Sequence, residues 1–287
     1  MDGDGTEGGG KLGFLKQVQN AERKNHTLLC VGLDPDPNRI PDVLKKEPDA
    51  VFQFCRHIVD ATHDLVLAFK PQIAFFAAQQ AEHQLQRLIE YIHGTTEIPV
   101  ILDAKRGDID STAEMYAREA FDVYKADAVT VNPYFGKDAL LPFLSRDDKG
   151  IIILCRTTNP GSFEIQNLVL QDGRLLYEAI AQKAATDWNS RGNVLLVAGG
   201  THPDEIRRIR SIVGEMTLLI PGVGAQGANI SQMIMSARGG GIIVSSSRAV
   251  NYAGNGEDYA AAARAVALAT KETLNQSLSA VYNDQRA

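Results

Sequence analysis

Eight short apolar runs, separated by helix-compatible segments, recur along the chain at residues 28–33, 67–70, 100–105, 128–132, 151–155, 194–198, 217–220 and 241–245. Runs this short, with apolar residues at successive positions, predict strands buried on both faces, as parallel strands are. Between them, apolar residues spaced three and four apart predict amphipathic helices over 51–65, 78–93, 113–124, 175–188 and 203–212, and an alanine-rich closing helix over 258–274. The segment Thr201-His202-Pro203-Asp204-Glu205 reads as a helix start, with a Thr or Asp cap, Pro in the first turn and acids near the positive end. Strands alternating with helices, without a Gly/Ser-rich linker or a break in composition, predict an α/β protein. The expected form is a single (β/α)8 TIM barrel over residues 11–287, with its active site at the C-terminal ends of the strands. Two stacked half-size domains are the alternative, and no boundary for them is visible. Residues 1–10, acidic and glycine-rich, predict a disordered tail.

Composition narrows the partners. With 287 residues, 44% hydrophobic and 22% charged, the chain can bury a substantial core. A net charge of −6 argues against nucleic acid and anionic membrane surfaces, but leaves room for a small anionic ligand held by a few local cations. No stretch is long and apolar enough to span a bilayer, and the acidic N-terminus is the opposite of a signal or transit peptide, so a cytoplasmic location is expected. Cys30, Cys55 and Cys155 are odd in number and widely spaced, which predicts free thiols, buried in a reducing compartment. The six histidines show no metal-ligand spacing and read as structural or solvent-exposed.

The chemistry gathers at the predicted strand ends. The third strand runs into Asp103-Ala-Lys105-Arg106-Gly107-Asp108-Ile109-Asp110-Ser111-Thr112. Side chains alternate along a strand, so Asp103 and Lys105 should face the same way, with Asp108 in the adjoining turn. Carboxylates flanking an ammonium hold it protonated, which suits a proton donor better than a nucleophile. A lone D-x-K is more often a surface ion pair; the longer pattern is harder to dismiss. Asp34 ends the first strand, where it either caps the next helix or faces a ligand. Lys70 closes the second, a position that calls for an anion opposite. Thr157 and Thr158 open a long connection after the fifth strand, either a surface insertion or a binding loop. The glycine-rich turn Gly222-Val223-Gly224-Ala225-Gln226-Gly227 after the seventh strand and Arg248 after the eighth suit a phosphate, since backbone N–H groups and a guanidinium both bind one.

The pattern D-x-K-x-x-D-[IV]-x-x-T after an apolar strand resembles the signature of the orotidine 5′-phosphate decarboxylases, and the landmarks follow in that family's order along the whole chain. Gly-Leu-Asp-Pro-Asp, Phe-Lys-Pro-Gln and Thr-Asn-Pro-Gly look like its second, more divergent subgroup. The resemblance implies decarboxylation of orotidine 5′-phosphate to uridine 5′-phosphate without metal or other cofactor, by a homodimer with shared active sites. It implies that Lys70, Asp103 and Lys105 form a charged array, with Lys105 as proton donor to carbon 6 of the pyrimidine. Asp108 would complete the array in the neighbouring subunit, with Thr112 beside it. Asp34 would hold the ribose hydroxyls, Thr158 would meet the pyrimidine edge, where the first subgroup has serine, and Gln226 and Arg248 would grip the phosphate. Two alternatives remain: a Mg2+-dependent sugar-phosphate decarboxylase or aldolase on the same scaffold, and a non-catalytic nucleotide-phosphate sensor. The first carries a carboxylate where Lys70 stands, and an ammonium repels a divalent cation. The second would be expected to have lost charged residues that are all present here.

Overall fold

The computed structural model describes residues 12–222 and 229–283; the expected N-terminal tail and Gln226 lie outside them. Eight strands form: β1 Leu29–Leu33, β2 Ala68–Pro71, β3 Ile101–Arg106, β4 Ala128–Val131, β5 Gly150–Arg156, β6 Val194–Ala198, β7 Leu218–Pro221 and β8 Ile242–Ser246. Each matches a predicted apolar run to within one residue at either end. They pair in the order β2-β1-β8-β7-β6-β5-β4-β3, every neighbour parallel. Bridges Phe69↔Val100 and Gln72↔Asp103 bring β2 against β3, so the sheet closes on itself. The result is a (β/α)8 barrel, whose unbroken apolar strands are buried by side chains within and helices without. Cys30, Cys55 and Cys155 are free and buried. Burial pushes the Cys30 thiol up to about 12, so it remains a neutral packing group.

The helices depart more from expectation. Phe14–Asn25 was not predicted; its buried Phe14, Val18, Ala21 and Asn25 form one stripe that caps the N-terminal ends of the strands. Gly150 allows this, because a Cβ there would stand 2.2 Å from the Phe14 ring. The helix expected over 78–93 starts later, at Glu82, and runs to Thr95; a separate short helix, Ile73–Ala77, precedes it, with Gln80 at φ +54 between the two. The segments expected over 113–124 and 175–188 each end in a π-helical turn, Glu119–Val123 and Ala184–Trp188. Helices Lys137–Leu144 and Ile230–Ala237 are further additions. The helix start read at Thr201 is shifted by one residue: helix Pro203–Val213 has His202 as its N-cap, and Thr201 caps nothing with its side chain. The closing helix runs Tyr259–Asn283, nine residues beyond the predicted end, because Leu274, Ser277 and Val281 continue its buried stripe.

Candidate active site

The centre of the mouth is a buried carboxylate shared by two lysines. Lys70 Nζ lies 2.8 Å from Asp103 Oδ2, and Lys105 Nζ lies 2.6 Å from Asp103 Oδ1. The Lys70 and Asp103 side chains are 7% and 11% exposed, whereas that of Lys105 is 47% exposed and reaches the open mouth. Burial opposes the charge on Lys70, but Asp103 and then Asp34 outweigh it and hold the ammonium above the usual lysine range. Burial likewise opposes ionisation of Asp103, yet Lys70 and Lys105 hold it well below the usual carboxylate range. The anion that Lys70 calls for is therefore Asp103 on the adjacent strand.

Asp103 and Lys105 converge as simple strand alternation predicts, but by another route. Leu102 pairs with Val129 and Arg106 with Val131, so β3 bulges and three residues stand opposite Thr130 alone. Lys105 sits at φ +49, left-handed backbone that a lysine rarely adopts. Arg106 points outward, where it is held by both oxygens of Glu119 at 2.8 and 2.9 Å.

Asp34 stands beside this array at the end of β1. Its Oδ1 is buried and has no hydrogen-bond partner, an arrangement that costs free energy unless a donor arrives. Burial raises its pKa, with the Lys70 charge pulling the other way. The loop carrying it is tied down from beyond β8. Asn251 accepts from Asp34 N at 3.1 Å and donates to Gly32 O at 2.6 Å. The Tyr252 hydroxyl donates to Asp34 O and accepts from Asp36 N at 2.6 Å; burial pushes it up to about 12, which keeps it a donor. Gly32 has to lack a side chain, since a Cβ would stand 1.8 Å from Ser247 Oγ. Neither Asn251 nor Tyr252 was anticipated; they follow Arg248 by three and four residues on one helical turn, which is the only signal the sequence offers.

After β5, fully buried Arg156 organises the long connection. It pairs with Glu205 at 2.6 Å and donates to Thr157 O, Ser162 Oγ and Gln166 Oε1, with its guanidinium over the Phe163 ring. Gln166 bonds both the amide and the hydroxyl of Thr157, which commits that residue to the loop's own structure. Thr158 is half-buried, and its methyl group lies against Gly199, where a Cβ would approach to 2.8 Å. The connection also folds into a short helix, Ser162–Gln166, and a small hairpin with the bridge Val169↔Leu175.

Three other candidate residues stand apart from the array within this chain. Asp108 bonds only the following amide, Ile109 N, at 2.8 Å. Thr112 is exposed in the first turn of helix Asp110–Arg118. Arg248 is exposed at the start of helix Arg248–Asn251.

A closed parallel barrel whose strand ends present a Lys–Asp–Lys array beside a carboxylate with one unsatisfied oxygen defines a class: a (β/α)8 enzyme scaffold with its charged groups gathered at the mouth. The model of the orotidine 5′-phosphate decarboxylase / HUMPS family matches residues 27–273, and the chain belongs to that family. It is 56% identical over 266 residues to an orotidine 5′-phosphate decarboxylase of Azoarcus sp. (strain BH72), covering 91% of this chain and 98% of that one. One from Dechloromonas aromatica (strain RCB) is 55% identical over 266 residues, with the same coverage. The structure of Leishmania donovani OMP decarboxylase superposes with a TM-score of 0.79 at 34% identity, over 93% of this chain and 99% of that one.

Proposed function

We propose that this chain decarboxylates orotidine 5′-phosphate to uridine 5′-phosphate, a step of de novo pyrimidine biosynthesis, without a metal or other cofactor. The observation that carries the reading is the array of Lys70 and Lys105 on one buried carboxylate at the barrel mouth. Loss of CO2 breaks the bond between the carboxylate and carbon 6, and the electron pair stays on that carbon. Lys105, whose ammonium reaches the open mouth, stabilises the developing negative charge and then donates the proton that completes the product. A fixed charge in a low-dielectric site does this at little reorganisation cost. Asp103 lies where it repels the substrate carboxylate, and this repulsion eases as CO2 departs. The free Asp34 oxygen takes a ribose hydroxyl, Thr158 meets the pyrimidine edge, and Gln226 with Arg248 grips the phosphate.

The family's name also covers a sister activity, and Lys70 speaks against it. It closes β2, bonded to Asp103, where the Mg2+-dependent sugar-phosphate enzymes carry a metal-binding carboxylate. The test is ultraviolet absorbance during incubation with orotidine 5′-phosphate, with and without EDTA. Turnover indifferent to EDTA is expected. Loss on chelation restored by Mg2+ would move the assignment to the sister reaction, and binding without turnover would make the chain a sensor.

The working unit we infer is a homodimer. Ile109, Met115, Tyr134, Phe135 and Leu141 are large apolar residues left exposed on the β3 and β4 loops and the helices that follow, Tyr134 at 82%. They share the β3 and β4 loops and the following helices with Asp108 and Thr112, two candidates that stand apart from their own chain's array. Exposed apolar surface of this kind marks an interaction site, and a second copy seated there brings Asp108 and Thr112 to the partner's Lys105. Three buried, unpaired thiols accord with a cytoplasmic location; among the described residues no helix is long and apolar enough to cross a membrane.

A further inference from the structure

One hydroxyl in the barrel wall is used to its full capacity. A threonine hydroxyl has one proton to donate and two lone pairs. Thr130 donates to Asp103 Oδ1 at 2.9 Å and accepts from the amides of Ala104 and Lys105, both at 2.9 Å. The residue is 1% exposed, so no bulk water can replace any of the three. It stands alone on β4 opposite the three bulged residues of β3, where the strand-to-strand ladder is interrupted. Its neighbours on β4 are Val129 and Val131, so the strand carries its one polar side chain where those amides need an acceptor.

We propose that Thr130 is the positioning residue of the charged array. Left-handed backbone at a residue other than glycine is strained and persists only where its surroundings impose it. At Lys105, at φ +49, the Thr130 hydroxyl holds the preceding side by bonding both amides that flank Ala104, while the following side is held where Arg106 O accepts from Asn132 N at 2.7 Å. The same hydroxyl orients the carboxylate. By taking Oδ1 jointly with Lys105, it leaves Oδ2 aimed at Lys70. A single side chain thus sets the direction of the proton donor and the rotation of the carboxylate between the two lysines. The groups proposed to hold ribose and phosphate lie on β1, β7 and β8, away from β4, so Thr130 acts on the chemical step and not on substrate retention.

The inference rests on the decarboxylase reading for its readout. Thr130→Val keeps the shape and the β-branch but removes the hydroxyl; Thr130→Ser keeps the hydroxyl. The expected result is a fall in kcat of at least tenfold for Thr130→Val, with KM for orotidine 5′-phosphate and Kd for uridine 5′-phosphate within about threefold, and recovery to within about threefold of wild-type kcat in Thr130→Ser. Thr130→Val with wild-type kcat, or Thr130→Ser as damaged as Thr130→Val, would overturn it. Should Thr130→Val fail to fold, Thr130→Cys replaces it, since a thiol is close in size but bonds weakly; unchanged kcat there overturns the proposal equally. A wild-type protein that does not turn over the substrate refutes the reaction, whereas an active wild type with an equally active Thr130→Val refutes only the role of Thr130.

Discussion

Replacing Asp103 with asparagine tests the electrostatic logic of the array through stability, independently of turnover. The substitution leaves two ammoniums on one neutral amide. Lys105 is 47% exposed, and its loss of a partner is largely screened by solvent, at about 0–1 kcal/mol. Lys70 is 7% exposed and cannot be rescued by water. Removing one partner of a buried pair costs about 3–5 kcal/mol. The asparagine oxygen still accepts one hydrogen bond and Asp34 supplies a second negative charge, which puts the expectation at the lower bound, about 3 kcal/mol. For a chain of this length that is a fall in Tm of about 5 °C at pH 7. The pH dependence carries a sign. In the wild type Lys70 has a raised pKa, so its contribution is complete below its ordinary value of 10.5 and is lost as pH rises through the folded value. In Asp103→Asn burial is no longer outweighed, the folded pKa of Lys70 falls below the unfolded one, and the variant gains stability as pH rises toward 10. The deficit relative to wild type should therefore shrink between pH 7 and pH 10 in thermal or urea unfolding. It should also shrink in acid, because Asp103 has a depressed pKa and its contribution is lost as pH falls through the folded value. An Asp103→Asn protein as stable as wild type at pH 7, or a deficit that stays flat up to pH 10, would refute the reasoning.

Other expectations follow from single residues. Lys105→Ala should lower kcat by at least the 10² to 10³-fold typical of one deleted electrostatic donor, roughly 3 kcal/mol; a steady-state assay showing near-wild-type turnover would remove Lys105 from the chemistry. Arg248→Ala should weaken binding of orotidine 5′-phosphate while leaving turnover of the nucleoside without phosphate about equal to that of wild type; equal losses for both substrates would make Arg248 a structural residue. If each site joins Lys105 of one chain with Asp108 of the other, co-expressed Lys105→Ala and Asp108→Ala chains should recover activity. Half of randomly exchanged dimers are mixed and each carries one native site, so up to about a quarter of wild-type activity is expected. Recovery no greater than the mean of the two variants, with subunit exchange verified, would place Asp108 in its own chain's site.

The strands were legible because burial on both faces leaves one signature, an apolar run of four to seven residues, and each run could be found without knowing its partners. Helices were less so, since their boundaries depend on what covers them. The helix Phe14–Asn25 carries an apolar stripe plain enough to read, but it precedes the first strand and a strand–helix alternation has no place for it. The closing helix runs on past Leu274 through Ser277 and Ser279, residues of weak helix propensity that only tertiary burial of Val281 makes worthwhile.

At the site, the residue types and the strand that bears each were legible, while the means of holding them were not. Lys70 demanded an anion, and the residues alone offered several; the resemblance grouped it with Asp103, and barrel closure between β2 and β3 gives the physical reason. Alternation placed Asp103 and Lys105 on one face and so predicted their meeting, yet an unbulged strand would bring them together with ordinary backbone at Lys105. The bulge instead gives Lys105 a backbone conformation that it would not hold unaided, and the restraint on its preceding side comes from a hydroxyl on the next strand, 25 residues along the chain. A Val-Thr-Val strand reads as generic β-propensity, with Thr as good a choice as Val. Its polar atom acquires meaning only when three partners are seen to converge on it, and that convergence depends on the register between β3 and β4. The same holds for Asn251 and Tyr252, whose contact with the Asp34 loop spans 217 and 218 residues of sequence. Groups proposed to touch substrate announce themselves as charges at strand ends. Groups that aim them are neutral hydrogen-bonding side chains, chosen by geometry that only the closed barrel creates.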